Sequence, residues 1–143
     1  MCEAGAAQPS PAPSLALMVS PFRTDPADPL LRHKTGVRGF YNRERRRAVH
    51  LGCFDALFLN RLDRVTEGAI TNVIARIGDE WVTPPVEDGL LPGIWRARFL
   101  QSHGGVERSL TLDDLSHADE IVVGNSVRGA IAIGRVVADP LVF

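Results

Sequence analysis

The sequence predicts an α+β domain with a barrel-like mixed sheet and flanking helices, and three observations predict it. Short segments rich in apolar, β-branched or aromatic residues outnumber segments of helical character. The two kinds alternate irregularly along the chain. Length and charge balance leave room for one core: 143 residues, 45% hydrophobic and 23% charged, with a net charge of -1. Single domains commonly hold roughly 100–200 residues.

Met1 to Pro13 is small and polar and reads as a tail or linker end, which places the domain at residues 14–143. Leu15 to Phe22 (LALMVSPF) suits a buried strand. Two Asp-Pro steps in Thr24 to Pro29 force an extended or turning path, and Leu30 to Thr35 leads out of that turn. Tyr41 to Leu51 is a predicted helix, with Tyr41, Ala48, Val49 and Leu51 apolar and a basic outer face. Strands are predicted at Asp55 to Asn60, Thr71 to Ile77 and Glu80 to Thr83, and Pro84-Pro85 closes this meander. Gly89 to Gly93 is a tight loop opening a helix over Ile94 to Ser102. Val106 to Leu110 is a predicted strand, and Thr111 caps a helix with Asp114 at its third position. Ile121 to Val123 is a strand, Gly124 to Gly129 a turn, and Ala130 to Val137 the last strand.

The balanced charge removes the field that a general nucleic-acid or membrane-surface binder needs. The run Arg43 to Arg47 has no interleaved aromatics for stacking bases and reads as a solvated helix face. Cys2 and Cys53 match neither a disulfide framework nor a metal spacing. The start lacks the basic and apolar regions of a secretory signal, and no stretch approaches the roughly 20 apolar residues of a membrane span. A soluble, cytoplasmic protein whose partners are small molecules or proteins is expected.

Of the 16 basic residues, 15 are arginine and only Lys34 is lysine. A genome rich in G and C accounts for such a bias, and so does chemistry: a primary amine forms an imine, whereas a guanidinium cannot replace it. Leu91-Pro92-Gly93-Ile94-Trp95 has the form of a glycine-preceded helix start, suited to an anion, although such a segment taken alone is more often an ordinary loop. Asn125-Ser126 is a second turn of that kind. Glu67 reads either as a cleft carboxylate that pairs with a cation or as a solvated turn acid. His33, His50, His103 and His117 are too scattered for a metal site, and none is expected. Neither Gly-x-Ser-x-Gly nor Gly-x-Gly-x-x-Gly occurs. One amine, one later carboxylate and two anion-binding turns are what a pyridoxal phosphate site needs.

Four segments in order carry a family resemblance: HKTGVRGFY (His33 to Tyr41), TEGAITNVI (Thr66 to Ile74), TPPVEDGLLPGIWR (Thr83 to Arg96) and ADEIVVGNSVRG (Ala118 to Gly129). Together they resemble the C-terminal domain of the class IV aminotransferases, the fold-type IV pyridoxal phosphate enzymes. Within that family the HKT and NSVRG motifs look most like the 4-amino-4-deoxychorismate lyases of folate biosynthesis, which release pyruvate to form 4-aminobenzoate. Branched-chain and D-amino-acid transaminases share the cofactor motifs.

The resemblance implies pyridoxal 5'-phosphate as cofactor, held as an imine by Lys34, which then acts as general base on a small amino substrate. It implies that Glu67 pairs with the pyridinium nitrogen and that Asn72 helps hold the ring. Gly93, Ile94 and Trp95 would contact the phosphate, Trp95 through its backbone N–H only, and Asn125 and Ser126 would complete the cup. Enzymes of this fold carry an N-terminal domain that supplies part of the pocket, and this chain is expected to lack it. A homo-oligomer, a partner chain that supplies the missing domain, and a non-catalytic fragment are the corresponding expectations.

Overall fold

The computed structural model describes residues 15–32 and 38–138. Nine strands form a mixed sheet. Strand β1 (Ala16–Thr24) is followed by a one-turn 3-10 helix (Pro29–Arg32), helix α1 (Arg38–His50), β2 (Asp55–Asn60), β3 (Val65–Gly68), β4 (Asn72–Ile77) and β5 (Glu80–Thr83). A second 3-10 turn (Val86–Asp88) leads to α2 (Ile94–His103), β6 (Val106–Glu107), α3 (Leu112–His117), β7 (Glu120–Asn125), β8 (Gly129–Ile133) and β9 (Arg135–Ala138).

The pairings close into a ring. β1 lies parallel to β2, with Leu17 opposite Asp55, and on its other edge parallel to β9, with Leu17 opposite Val136. From β2 the ladder runs antiparallel through β3, β4 and β7 to β8. β8 then continues past Gly134 into β9, with the Gly134 N–H bonded to the Leu15 carbonyl at 2.8 Å. β5 and β6 extend the sheet from β4. The α+β fold with a barrel-like mixed sheet and flanking helices is therefore as the sequence predicts.

Alternation along each strand divides the core in two directions. Leu17, Leu57, Leu59, Val73 and Val123 fill the ring's interior. Their neighbours face outward: Met18, Ala56 and Phe58 pack under α1, while Ile74 and Val122 pack under α2 against Phe99. Each large apolar side chain so buried contributes roughly 1.5–3 kcal/mol.

Several boundaries differ from expectation for local reasons. Helix α1 starts at Arg38, and its buried face is Tyr41, Glu44 and Ala48, whereas Val49 and Leu51 are exposed. Glu44 is tolerated inside because Ser20 donates to it at 2.7 Å and Arg47 at 2.8 Å, so the acid tethers α1 to β1. The arginines of α1 are drawn to protein partners as well: the Arg43 guanidinium lies 5.2 Å from the Phe40 ring, and Arg45 reaches to 3.9 Å from Asp55. The expected last strand is broken at Gly134, where the chain passes from one ring partner to another. The strand expected over Val106 to Leu110 pairs only as far as Glu107. Thr111 caps α3 as predicted, its hydroxyl accepting from Asp114 N while the Asp114 carboxylate accepts from Thr111 N. Among the described residues no helix is long and apolar enough to cross a membrane.

Candidate functional site

Glu67 is neither in a turn nor solvated. It lies in β3, directly opposite Asn72 of β4, and is only 5% exposed. This strand is missed by sequence reasoning. Because the two residues are register partners, both side chains reach the backbone of the same residue, Leu91. Leu91 N–H donates to Glu67 Oε1 at 3.1 Å, and the Leu91 carbonyl accepts from Asn72 Nδ2 at 2.9 Å. The loop before α2 is thus clamped at both its donor and its acceptor. Gly93 sits so close to Asn72 Oδ1 that a Cβ there would overlap it.

From this clamp the chain enters α2. Gly93 is the N-cap, in extended conformation, with no side chain capping the helix. The backbone N–H groups of Ile94 and Trp95 have no partner among the described residues, so the helix presents free donors and its positive dipole end. The Trp95 indole turns away to pack over Gly124, where a Cβ would collide with the ring.

The Asn125–Ser126 turn closes the other side. Asn125 engages both ends of its amide within the protein: Nδ2 donates to the Ile70 carbonyl at 2.7 Å, and Oδ1 accepts from Val127 N at 3.0 Å and Arg128 N at 2.8 Å. Its part is to shape the turn, leaving Ser126 exposed. Glu67, Asn72, Gly93, Ile94, Trp95, Asn125 and Ser126 all line one cleft of about 440 Å³. Lys34 lies outside the described residues; Leu31 before it and Tyr41 after it both line this cleft. A larger hollow of about 810 Å³ lies between β1, α3, β8 and β9 and contains none of these residues. Its walls mix apolar residues with Arg23, Ser116, Asp119, Glu120 and Arg135.

Sequence reasoning missed three residues that shape the site. Tyr41 donates from its hydroxyl to Glu67 Oε2 at 3.4 Å and stacks on Phe58, with ring centroids 4.2 Å apart. Asp55, wholly buried, accepts from Ala69 N at 3.2 Å, Ile70 N at 3.1 Å and Thr71 Oγ at 2.9 Å, holding the turn between β3 and β4. Gly68 is required beside it, since a Cβ would strike both Thr71 and Asp55. Burial pushes the Asp55 carboxyl up, against the lowering pull of these donors and of Arg45. The available signals were weak: a lone tyrosine on the inner face of a helix and an acid opening an apolar strand.

Tyr41 yields a clean titration, being the only tyrosine in the chain. Burial, and then the Glu67 charge, hold its phenol well above the ordinary value. The folded chain keeps a proton that the unfolded chain releases near pH 10, about the ordinary phenol value. The stabilisation is therefore complete below that pH and is lost as pH rises beyond it. Tyrosinate absorbance is expected to appear only together with unfolding. Ionisation at the ordinary value in a folded chain would contradict the buried contact.

Residues 3–136 match the family described as amino-transferase class IV. A Schizosaccharomyces pombe protein described as "Putative aminodeoxychorismate lyase" is 32% identical over 77 residues, covering 52% of this chain and 33% of that protein. The solved structure of a "Putative amino-acid aminotransferase" from Mesorhizobium loti superposes with a TM-score of 0.79 at 37% identity, covering 90% of this chain and 63% of the other. That of a "Putative 4-amino-4-deoxychorismate lyase" from Legionella pneumophila superposes with a TM-score of 0.75 at 29% identity, covering 96% and 55%. The chain spans about a third of the length of the curated S. pombe relative, 33%.

Proposed function

The chain belongs to the class IV aminotransferase family, and on that premise we propose that it is the cofactor-binding domain of a pyridoxal 5'-phosphate-dependent lyase acting on 4-amino-4-deoxychorismate. Members of this family depend on pyridoxal 5'-phosphate. The residues present fit that group. Buried Glu67 offers an anion to a protonated ring nitrogen, while the free N–H groups of Ile94 and Trp95 and the Ser126 turn offer donors to a phosphate. The convergence of a buried carboxylate and a bare helix N-terminus in one cleft is the observation that carries this reading.

When bound, the cofactor supplies an electron sink for the charge left as a proton leaves the substrate carbon. Lys34, the only lysine, would hold the cofactor, and its Nζ as a neutral amine would take that proton as general base. Glu67 keeps the ring nitrogen protonated. Tyr41 and Leu91 N–H each hold one oxygen of the Glu67 carboxylate and so fix its direction. Asn72 braces Leu91 and through it the start of α2. Departure of the side chain as pyruvate leaves the aromatic 4-aminobenzoate.

Transamination is the second reading, favoured by the 37% identity to the M. loti protein; the amino group would then pass to a keto acid. Folate biosynthesis, a cytoplasmic location, and assembly with a second copy or a pocket-completing partner chain belong to the same proposal. The test is to incubate the chain with pyridoxal 5'-phosphate and 4-amino-4-deoxychorismate and to quantify products. Equal amounts of pyruvate and 4-aminobenzoate are expected. Conversion of amino acids to keto acids without 4-aminobenzoate would favour transamination. Neither product, with cofactor bound, would overturn the catalytic reading.

A further inference from the structure

Asp55 does not line the cleft, yet it sits at the root of a chain of hydrogen bonds that ends at the cleft's mouth. The carboxylate takes the N–H groups of Ala69 and Ile70 and the hydroxyl of Thr71. Ile70 is bonded at both ends: its N–H donates to Asp55 at 3.1 Å, and its carbonyl accepts from Asn125 at 2.7 Å. The other end of the Asn125 amide gathers Val127 N and Arg128 N, which fold the turn that presents Ser126. Asp55 and Asn125 lie 70 positions apart, so no local preference of the turn fixes this arrangement.

We propose that Asp55 is a positioning residue for the phosphate end of the site: through Ile70 and Asn125 it sets where the Ser126 turn stands relative to the N-terminus of α2. This rests on the cofactor reading above. The same carboxylate holds Thr71, adjacent to Asn72, so it steadies both sides of the cleft from behind. An ionised carboxylate can accept several donors at once, whereas an amide must aim its NH2 at some of the groups it replaces as acceptor. Asp55→Asn therefore keeps the volume and breaks the pattern.

The experiment compares wild type, Asp55→Asn and Thr71→Val as full chains in two measurements. In the first, amide exchange is followed without cofactor. Faster exchange, by about tenfold, is expected in Asp55→Asn at Ile70, Val127 and Arg128, while Val73 and Val123 in the sheet keep their rates. In the second, pyridoxal 5'-phosphate and unphosphorylated pyridoxal are titrated separately. The ratio of the two affinities is expected to fall about tenfold in Asp55→Asn, because only the phosphorylated ligand uses the turn. Equal weakening of both ligands, or unchanged exchange at Val127 and Arg128, would overturn the proposal. If Asp55→Asn fails to fold, Thr71→Val removes one donor and is expected to shift both readouts in the same direction by less; no shift in either would overturn it. A wild-type chain that binds neither ligand contradicts the cofactor reading, and the exchange measurement then decides the positioning role alone.

Discussion

Glu67→Gln is expected to lower the rate of substrate carbon–hydrogen exchange by roughly 10²- to 10³-fold, the usual cost of removing one preorganised charge-stabilising group. Glutamine preserves the shape of the site. Its carbonyl can still accept from Leu91 N–H, and its NH2 can donate to the Tyr41 hydroxyl, so the β3–β4 pairing at Glu67 and Asn72 stays intact. What it lacks is the negative charge, and a neutral partner no longer favours a protonated ring nitrogen. The melting temperature is expected to change by only a few degrees, as for a loss of about 1 kcal/mol. A rate within about threefold of wild type would show that Glu67 serves the loop clamp alone, since the amide keeps that function.

Lys34→Arg is expected to have the larger effect. General-base catalysis contributes typically 10²- to 10⁴-fold, and a guanidinium that stays protonated at all relevant pH values cannot accept a proton. With 15 arginines and one lysine in the chain, no other side-chain amine can take over. Substrate turnover is expected to fall by at least about 10³-fold, with no recovery at high pH. Retention of substantial turnover would place the base elsewhere, and Tyr41, whose hydroxyl donates to Glu67, would be the first residue to test.

The fold was legible wherever side chains alternate over enough residues to define a face. Leu15 to Phe22, Asp55 to Asn60 and Thr71 to Ile77 are such runs, and their strands differ from them by at most two residues at either end. Thr111 and Asp114 were legible because a capping box is local chemistry. β3 was not: four residues, Val65–Gly68, follow a charged turn and end in glycine, too short a stretch to show period two. Its burial comes from the ring of strands around it, and so Glu67 read equally well as a surface acid. The break at Gly134 likewise depends on β1 standing between β2 and β9, which no local pattern encodes.

For the site, the residues proposed to bear chemistry stood out in the sequence, but the residues that aim them did not. Pro92-Gly93 announces a bare helix start, yet the clamp that orients it comes from Glu67 and Asn72, 24 and 19 positions before Leu91. Asn125 looks like a ligand-binding amide in a turn, although both ends of it are engaged with Ile70, Val127 and Arg128. Tyr41 and Asp55 became visible only when α1 and the β3–β4 turn were brought together.

The proposed function requires that Lys34 hold pyridoxal 5'-phosphate. The deciding measurement is to mix the chain with the cofactor, reduce with borohydride, digest, and locate the added mass. Only Lys34 and the chain's α-amine can be labelled, so background is low. The account predicts one label on the peptide bearing Lys34, absent in Lys34→Arg and weakened in Asp55→Asn. A wild-type chain that carries no label at Lys34, or carries it only at the α-amine, would contradict it.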